Sequence, residues 1–337
     1  MQPDSSSSDG HLVIGLNAVL AAVEGDTPLV LCARSDEGFW GLPYGPFDPQ
    51  RHRTFELGLR AFVTEQTRMH LGYVEQLYTF GDKGREAPSA VLRGGSEADR
   101  IVSVGYLALA PGANPIEMEA TAWRNWYDHF PWEDWRNGEP PILAAQIIPA
   151  LQDWITSIED TSQQRLRLDR VRLAFGYEAT GWEEERTLDR YELLYEAGIV
   201  SEAARDGRVT TPTLQVADAA MSSDHRRILA TAIGRLRGKL RYRPIIFEMM
   251  PASFTLLDLQ RSVEAIIGFP LHKQNFRRGI DNAGLVRKTG NVSAETGGRP
   301  AALFTLDRNS TSGKTAQDRT IKGLTLPRLR QTPSPDL

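Results

Sequence analysis

Residues 254 to 306 read FTLLDLQRSVEAIIGFPLHKQNFRRGIDNAGLVRKTGNVSAETGGRPAALFTL. Thr255 followed by Asp258 is the pattern of a helix N-cap with a reciprocating acid in the first turn. Leu256, Leu259, Val263, Ile266 and Ile267 then recur at helical spacing and define one apolar face. Gly268 and Pro270 force a turn. A second, shorter helix is expected over 272–283, stopped by Gly284. In it Phe276, Ile280 and Ala283 share a face, and at about 100° per residue Gln274, Arg278 and Asp281 point the other way, flanked by Lys273 and Arg277. Leu285 and Val286 begin a strand, with Arg287 and Lys288 expected just before a glycine-containing turn. GGRP (297–300) leads into a returning strand, AALFTL (301–306). Helix, turn, helix and hairpin together make a winged helix-turn-helix.

A short helix anchored by three apolar residues and presenting Gln, Arg and Lys outward suits the major groove of double-stranded DNA. Arginine donates two parallel bonds to guanine, and glutamine pairs similarly with adenine. The candidate DNA contacts are Lys273, Gln274, Asn275, Arg277 and Arg278 on the helix, with Arg287, Lys288 and Arg299 on the wing. No aromatic stacking stripe accompanies the arginines, which disfavours RNA. Two alternatives remain open: a protein-interaction module of the same shape, and a basic appendage whose charge only keeps it soluble.

Charge follows the same division. The chain of 337 residues has a net charge of −4, but residues 225–306 hold 14 Lys+Arg against 5 Asp+Glu. Residues 1–224 hold 19 against 35, and the tail from Asp307 holds 6 against 3. A basic third on an acidic body suggests a segregated polyanion site. No apolar run approaches the roughly 18 residues that cross a bilayer, and the Ser-rich start, 1–10, lacks a signal-peptide pattern. Cys32, the single cysteine, sits in an apolar run, where a buried inert thiol is expected. A cytoplasmic protein without membrane partners is expected. The six histidines show no close ligand spacing, so no metal site is expected.

Further toward the N-terminus, HLVIGLNAVLAAV (11–23) and PLVLCA (28–33) predict two strands joined at Gly25 and Asp26. Thr54 to His70 has helical spacing, and 74–80 and 101–109 predict further strands. Strands mixed with a helix in this order indicate an α/β domain. Residues 151–222 are charge-rich and helical, and another helix is expected from Asp224 to about Leu240, with Ile228, Ile233 and Leu236 buried. The expected layout is a disordered start (1–10), an α/β domain (11–150), a helical connector (151–223), a winged-helix domain (224–306) and a disordered basic tail (307–337).

The succession WGLPYGPFDPQRHRTFELGLRAFVTEQT (40–67) resembles a Nudix box, G-x5-E-x7-R-E-U-x-E-E-x-G-U with U aliphatic. In working Nudix hydrolases those glutamates hold magnesium against a diphosphate. Counted from Gly45, the first glutamate position is Arg51. When Arg60 fills the box arginine, the next glutamate becomes Ala61 and the later pair becomes Thr64 and Glu65. The alternative register also loses the glutamate after the arginine and keeps one carboxylate of the later pair. Glu56 and Glu65 alone do not supply a multinuclear magnesium site, so no catalytic residue, metal or catalytic cofactor is expected.

YVEQLYTFGD (73–82), RIVSVGYLAL (100–109), RLRGKLRYRPIIFEMMP (235–251), FTLLDLQ, KQNFRR and GGRPAALF are similar to the corresponding segments of the NrtR family of Nudix-related transcriptional regulators. The long helical connector is most similar to that of the NadQ-type branch. The resemblance covers most of residues 11–306. It implies a Nudix-like α/β/α sandwich with a mixed sheet, a helical connector and a C-terminal winged helix. It also implies a homodimer that represses genes of NAD biosynthesis, with the Nudix-like domain serving as receptor for NAD, ADP-ribose or ATP. The rival expectation is a divergent Nudix hydrolase of ADP-ribose or a related diphosphate. Candidate ligand residues are Arg34 at the end of the second strand, Trp40 in the loop after it, and Phe80, Asp82 and Arg85 where a strand gives way to a loop; each also has a purely structural reading. For WRNWYDHFPWEDW (123–135), packing is favoured over stacking on an adenine.

Overall fold

The computed structural model describes residues 12–34, 38–85, 100–113, 121–176, 181–212, 214, 220–293 and 300–307. The expected disordered start, the tail beyond Asp307, and Arg299 lie outside these residues. The long strand β1 (Leu12–Glu24) runs parallel to β6 (Arg100–Leu109), with Leu12 opposite Arg100 and Ala21 opposite Leu109. The other pairings are antiparallel. β2 (Thr27–Arg34) follows β1 through the turn at Gly25, and β5 (Val74–Phe80) flanks β6. The short β3 (Trp40–Gly41), β4 (Tyr44–Pro46) and β7 (Thr121–Asn125) complete a mixed sheet of seven strands. β7, the start of the tryptophan-rich run, was not anticipated as a strand.

Both faces of β1 are buried, so its residues alternate between two apolar layers rather than between core and water. Leu16 and Ala18 pack with Leu59 and Val63 of α1 (Phe55–Thr67). Val19, Ala21 and Val23 face the opposite layer, which contains Ile228, Leu229 and Ala232 of α7 (His225–Leu240). Thr54 caps α1 by accepting from the Leu57 amide, and Arg68 ends it in the left-handed region at φ 59°. The sandwich is therefore α1, sheet, α7.

After β7 come α2 (Trp126–His129), a 3-10 turn at Pro131–Glu133, and the connector helices α3 (Ile148–Thr156), α4 (Thr161–Phe175), α5 (Thr187–Glu196) and α6 (Ser201–Arg205). Trp126, Trp132 and Trp135 are buried in the same apolar layer as α7, so the tryptophan-rich run packs the core. The helix expected at the head of the winged-helix unit, α7, instead lies on the sheet and against α5. Its apolar stripe is matched by Val19, Leu107 and Leu109 on that face.

The winged helix proper comprises α8 (Leu256–Ile267), α9 (Lys273–Ala283), β8 (Val286–Ser293) and β9 (Ala301–Leu306). Thr255 and Asp258 form the reciprocal cap expected from the sequence. Phe254 and Phe304 exchange two backbone hydrogen bonds, adding a third short pairing to the wing. The turn expected after Lys288 is not there: β8 continues through Gly290 to Ser293, with a register shift between Lys288 and Val292.

Charged groups fix these parts to one another. Glu133 is fully buried and meets Arg190 of α5 at 2.6 Å and Arg237 of α7 at 2.5 Å. Burial opposes its ionisation, but the two guanidiniums overcome that and hold its carboxyl below the ordinary glutamate value. Arg190 also donates to the Ala174 and Glu183 carbonyls and lies 3.8 Å from the centre of the Trp182 ring. At the other end of α7, His225 Nδ1 accepts from the Leu42 amide at 3.1 Å. A side chain on Gly41 would place its Cβ 2.6 Å from that nitrogen, so only glycine permits the contact.

Two outcomes test these attachments. Glu133→Gln leaves two buried guanidiniums short of a counter-charge and is expected to cost about 3–5 kcal/mol of unfolding free energy, measured by urea titration; a loss under about 1 kcal/mol would remove the triad from any structural role. His225 is pushed by burial from 6.5 down to about 3, with Arg205 adding to the effect. The unfolded chain therefore takes up this proton first, and the stability that neutral His225 contributes is complete above about pH 6.5 and lost as pH falls toward 3. Between about pH 6 and 5, His225→Gln should flatten the wild-type dependence by up to about 1.4 kcal/mol per pH unit. Parallel curves for the two proteins would mean that His225 titrates near its ordinary value.

Candidate nucleic-acid interface and nucleotide cleft

Phe276, Gly279, Ile280 and Ala283 bury one face of α9. Lys273, Gln274, Asn275, Arg277 and Arg278 are all exposed on the remainder, as are Arg287 and Lys288 on β8. The Arg278 guanidinium donates to Asn275 Oδ1 at 3.1 Å, one turn earlier, which pre-orients both side chains. The α8–α9 turn is pinned from within: Gln260 donates to the Leu271 carbonyl at 3.0 Å, and Glu264 accepts from the Leu271 amide at 2.7 Å. The seven described candidates thus form a cationic, solvent-facing surface on a helix whose angle to α8 is fixed by side-chain bonds.

The candidate ligand residues separate into two groups. Arg34 and Trp40 lie opposite each other across β2 and β3, with the guanidinium 5.6 Å from the indole centre. Arg124 of β7, which sequence reasoning missed, comes within 5.1 Å of the same ring. Strand pairing across β2 brings it there, a relation that linear spacing does not reveal. Among the described residues no carboxylate forms an ion pair with Arg34 or Arg124.

Asp82 and Arg85 lie on the loop after β5 and join a network of opposite charges. Arg85 pairs with Glu192 at 3.0 Å and Asp224 at 3.2 Å, and its guanidinium is 3.8 Å from the Tyr195 ring centre. Arg227 pairs with Asp82, with Glu192 at 2.8 Å and with Asp224 at 3.2 Å. The Arg227 bond holds the Asp82 carboxyl below the ordinary aspartate value, while burial raises that of Asp224. A cleft of about 420 Å³ opens here, walled by Asp82, Arg85, Glu192, Tyr195, Asp206 and Arg208. Phe80 is buried beneath Arg227 and supplies packing rather than an open ring face. The connector residues of this cleft carried no sequence signal, since they are ordinary charged positions on helices.

One group meets the segment just before α7 and the other meets the start of the helix. Ser222 donates from its backbone and its hydroxyl to the Trp40 carbonyl, and Asp224 and Arg227 hold Arg85 and Asp82. On the opposite face of the sheet, Glu56 and Glu65 are exposed on α1, and Glu56 pairs with Arg60 at 2.9 Å. Nine residues along a helix amount to about two and a half turns, so the two carboxylates project from opposite sides. Among the described residues, no three His, Cys, Asp or Glu side chains come together as a metal-binding group. Cys32 is fully buried, and desolvation pushes its thiol up to about 12. No described helix is long and apolar enough to cross a membrane.

Comparison with known proteins locates this architecture. Residues 246–306 match the NrtR DNA-binding winged helix domain family. The ADPR responsive transcriptional repressor NtrR of Acinetobacter baylyi is 39% identical over 84 residues, which are 25% of this chain and 33% of that protein, so the match spans about a third of its length. Shewanella oneidensis NrtR, in a crystal structure with a 27mer DNA, superposes with a TM-score of 0.50 at 20% identity, covering 89% of this chain and 95% of that one. A MutT/nudix family protein from Enterococcus faecalis gives 0.51 at 13% identity over 89% of each chain. At such identities these two likenesses establish the fold. The chain therefore carries a DNA-binding winged helix of the NrtR family on a Nudix-like mixed sheet, the architecture of the NrtR-family Nudix-related regulators.

Proposed function

We propose that this protein is a DNA-binding transcriptional repressor of NAD-metabolism genes that senses an adenine nucleotide of the ADP-ribose type through a non-hydrolysing Nudix-like domain. The observation that carries this is the exposed cationic face of α9 within the matched winged helix, joined through α7 to a Nudix-like sheet. The ADPR responsive repressor from Acinetobacter baylyi supports the ligand class; NAD and ATP share its adenosine-diphosphate portion and are the competing signals. Lys273, Gln274, Asn275, Arg277 and Arg278 read the major groove, while Arg287, Lys288 and Arg299 hold phosphates along the wing. The protein acts in the cytoplasm as a homodimer, because two readers are needed for two half-sites one helical turn apart.

Arg34, Trp40 and Arg124 are the diphosphate-facing group of the ligand site, with two cations and no competing carboxylate among the described residues. Asp82 and Arg85 form its second edge, where a ligand exchanges protein ion pairs for its own. Magnesium chemistry does not fit the residues present. Arg51, Ala61 and Thr64 stand where a working box has carboxylates, and Glu56 and Glu65 diverge. A receptor that lacks the metal retains its nucleotide rather than cleaving it.

Fluorescence anisotropy at fixed salt, with DNA from upstream of NAD-synthesis genes and a scrambled duplex, tests the proposal directly. Wild-type protein should prefer the operator, and ADP-ribose, NAD or ATP should shift that affinity. Arg277→Ala or Arg278→Ala should each weaken operator binding about 5- to 100-fold and relax sequence preference. Lys288→Ala should weaken both duplexes alike. Arg34→Ala and Trp40→Ala should reduce nucleotide affinity and leave ligand-free DNA binding intact. Equal affinity for both duplexes under every condition would overturn the proposal, and magnesium-dependent cleavage of ADP-ribose would restore the hydrolase.

A further inference from the structure

The DNA-reading helix α9 takes its orientation from α8, and the end of α8 is held by residues outside the winged helix. The Tyr127 hydroxyl donates to the Ala265 carbonyl at 2.7 Å. Arg237 Nε donates to the Ile266 carbonyl at 2.9 Å, and the Trp135 amide donates to the Gly268 carbonyl at 2.7 Å. The last carbonyls of a helix have no partners within it and carry the negative end of its dipole, so a buried guanidinium and a phenol are well matched to them. There is no slack in this junction. Gly268 has φ 79°, and a Cβ there would stand 2.4 Å from the Glu133 carbonyl oxygen and 2.9 Å from the Tyr127 hydroxyl. Immediately beyond, Gln260 and Glu264 clamp Leu271, so the orientation of α8 passes directly to α9.

Arg237 is held in turn by Glu133 at 2.5 Å, the Thr187 hydroxyl at 3.1 Å and the Tyr127 hydroxyl at 3.3 Å. It lies on α7, whose N-cap Asp224 pairs with Arg85 and whose first turn pairs with Asp82 through Arg227. From Arg227, paired with Asp82, to Arg237 is ten residues of one unbroken helix, about 15 Å. A single rigid element therefore touches the nucleotide cleft at one end and the carbonyl end of α8 at the other.

We propose that Tyr127 and Arg237 are positioning residues for DNA recognition: they set the angle of α9 from the sensor side, and they deliver displacements of α7 to it. Transmission of a nucleotide signal rests on the function proposed above; the positioning itself does not. Neither residue touches DNA or nucleotide. Their effect is on the relative energy of reader orientations, through the Ala265 and Ile266 carbonyls.

Tyr127→Phe is the discriminating variant, because it removes one hydroxyl and keeps the buried ring. Hydrogen exchange on the full ligand-free chain should show faster exchange in the variant at residues 268–276, by about fivefold, the factor one net hydrogen bond supplies. Amides of β1 and β6 should remain as in wild type. Operator affinity should fall by a similar factor with scrambled-duplex affinity unchanged, and nucleotide should bind normally yet shift operator affinity less. A merely structural residue would instead speed exchange throughout the chain and leave the operator-to-scrambled ratio untouched. Wild-type exchange at 268–276 together with wild-type discrimination would overturn the proposal. Arg237→Lys, which keeps the charge but not the forked donors, should reproduce the local effect. Should wild-type protein show no operator preference, the repressor function falls, while the exchange comparison still decides whether Tyr127 fixes the reader.

Discussion

One buried carboxylate organises this molecule. Glu133 stands in the 3-10 turn after α2 and pairs with both Arg190 from the connector and Arg237 from α7, all three without solvent access. A lone ion at such a site would be prohibitively costly to desolvate, so the arrangement persists only when every group is paired and every donor satisfied. The arginines accordingly reach the Ala174, Glu183, Glu184 and Ile266 carbonyls as well as the carboxylate. Those acceptors belong to the connector and the winged helix, so satisfying one charge brings three segments of the chain together. Arg226 repeats the principle nearby, joining Glu202 of α6 to the His129 carbonyl beneath the rings of Phe130, Trp132 and Tyr191.

The consequence is that the winged helix is not a bead on a flexible string. Its first helix ends in a socket made by the Nudix-like domain, and the sheet face above that socket is shared between α7 and the tryptophan-rich segment. The two faces of the sheet thereby have separate duties. α1 covers one face and retains the outline of a Nudix helix, with its carboxylates turned apart. α7 covers the other and contacts the loop after β5, the loop after β3 and the end of α8. The ion pairs at the first turn of α7 involve partly exposed groups such as Asp82 and Glu192.

The charge division has a more precise meaning in three dimensions than in one. Several basic residues between 225 and 243 are consumed internally: Arg226, Arg227, Arg235, Arg237, Lys239 and Arg241 all pair with carboxylates of the acidic body. The basic residues of α9 and β8 form no such pairs among the described residues. The excess positive charge of the C-terminal third is therefore concentrated on the winged helix itself, where its field is least opposed.

By itself, the sequence determined the local elements and the winged-helix outline. The apolar run and turn of β1, helical spacing on α1, α7 and α8, the Thr255–Asp258 cap and the stop at Gly284 are short-range properties, set by local pattern and capping over a few residues. The outward set Lys273, Gln274, Arg277 and Arg278 followed from the same periodicity. Only the tertiary structure decided that α7 belongs to the sheet, that β8 runs past Gly290, that Phe80 is covered by Arg227, and that Arg124 joins Arg34 at Trp40. Each of these depends on which surface, remote in the chain or across a strand pairing, completes a half-buried face or pairs a charge, and such choices are made by packing and desolvation rather than by immediate neighbours in the chain.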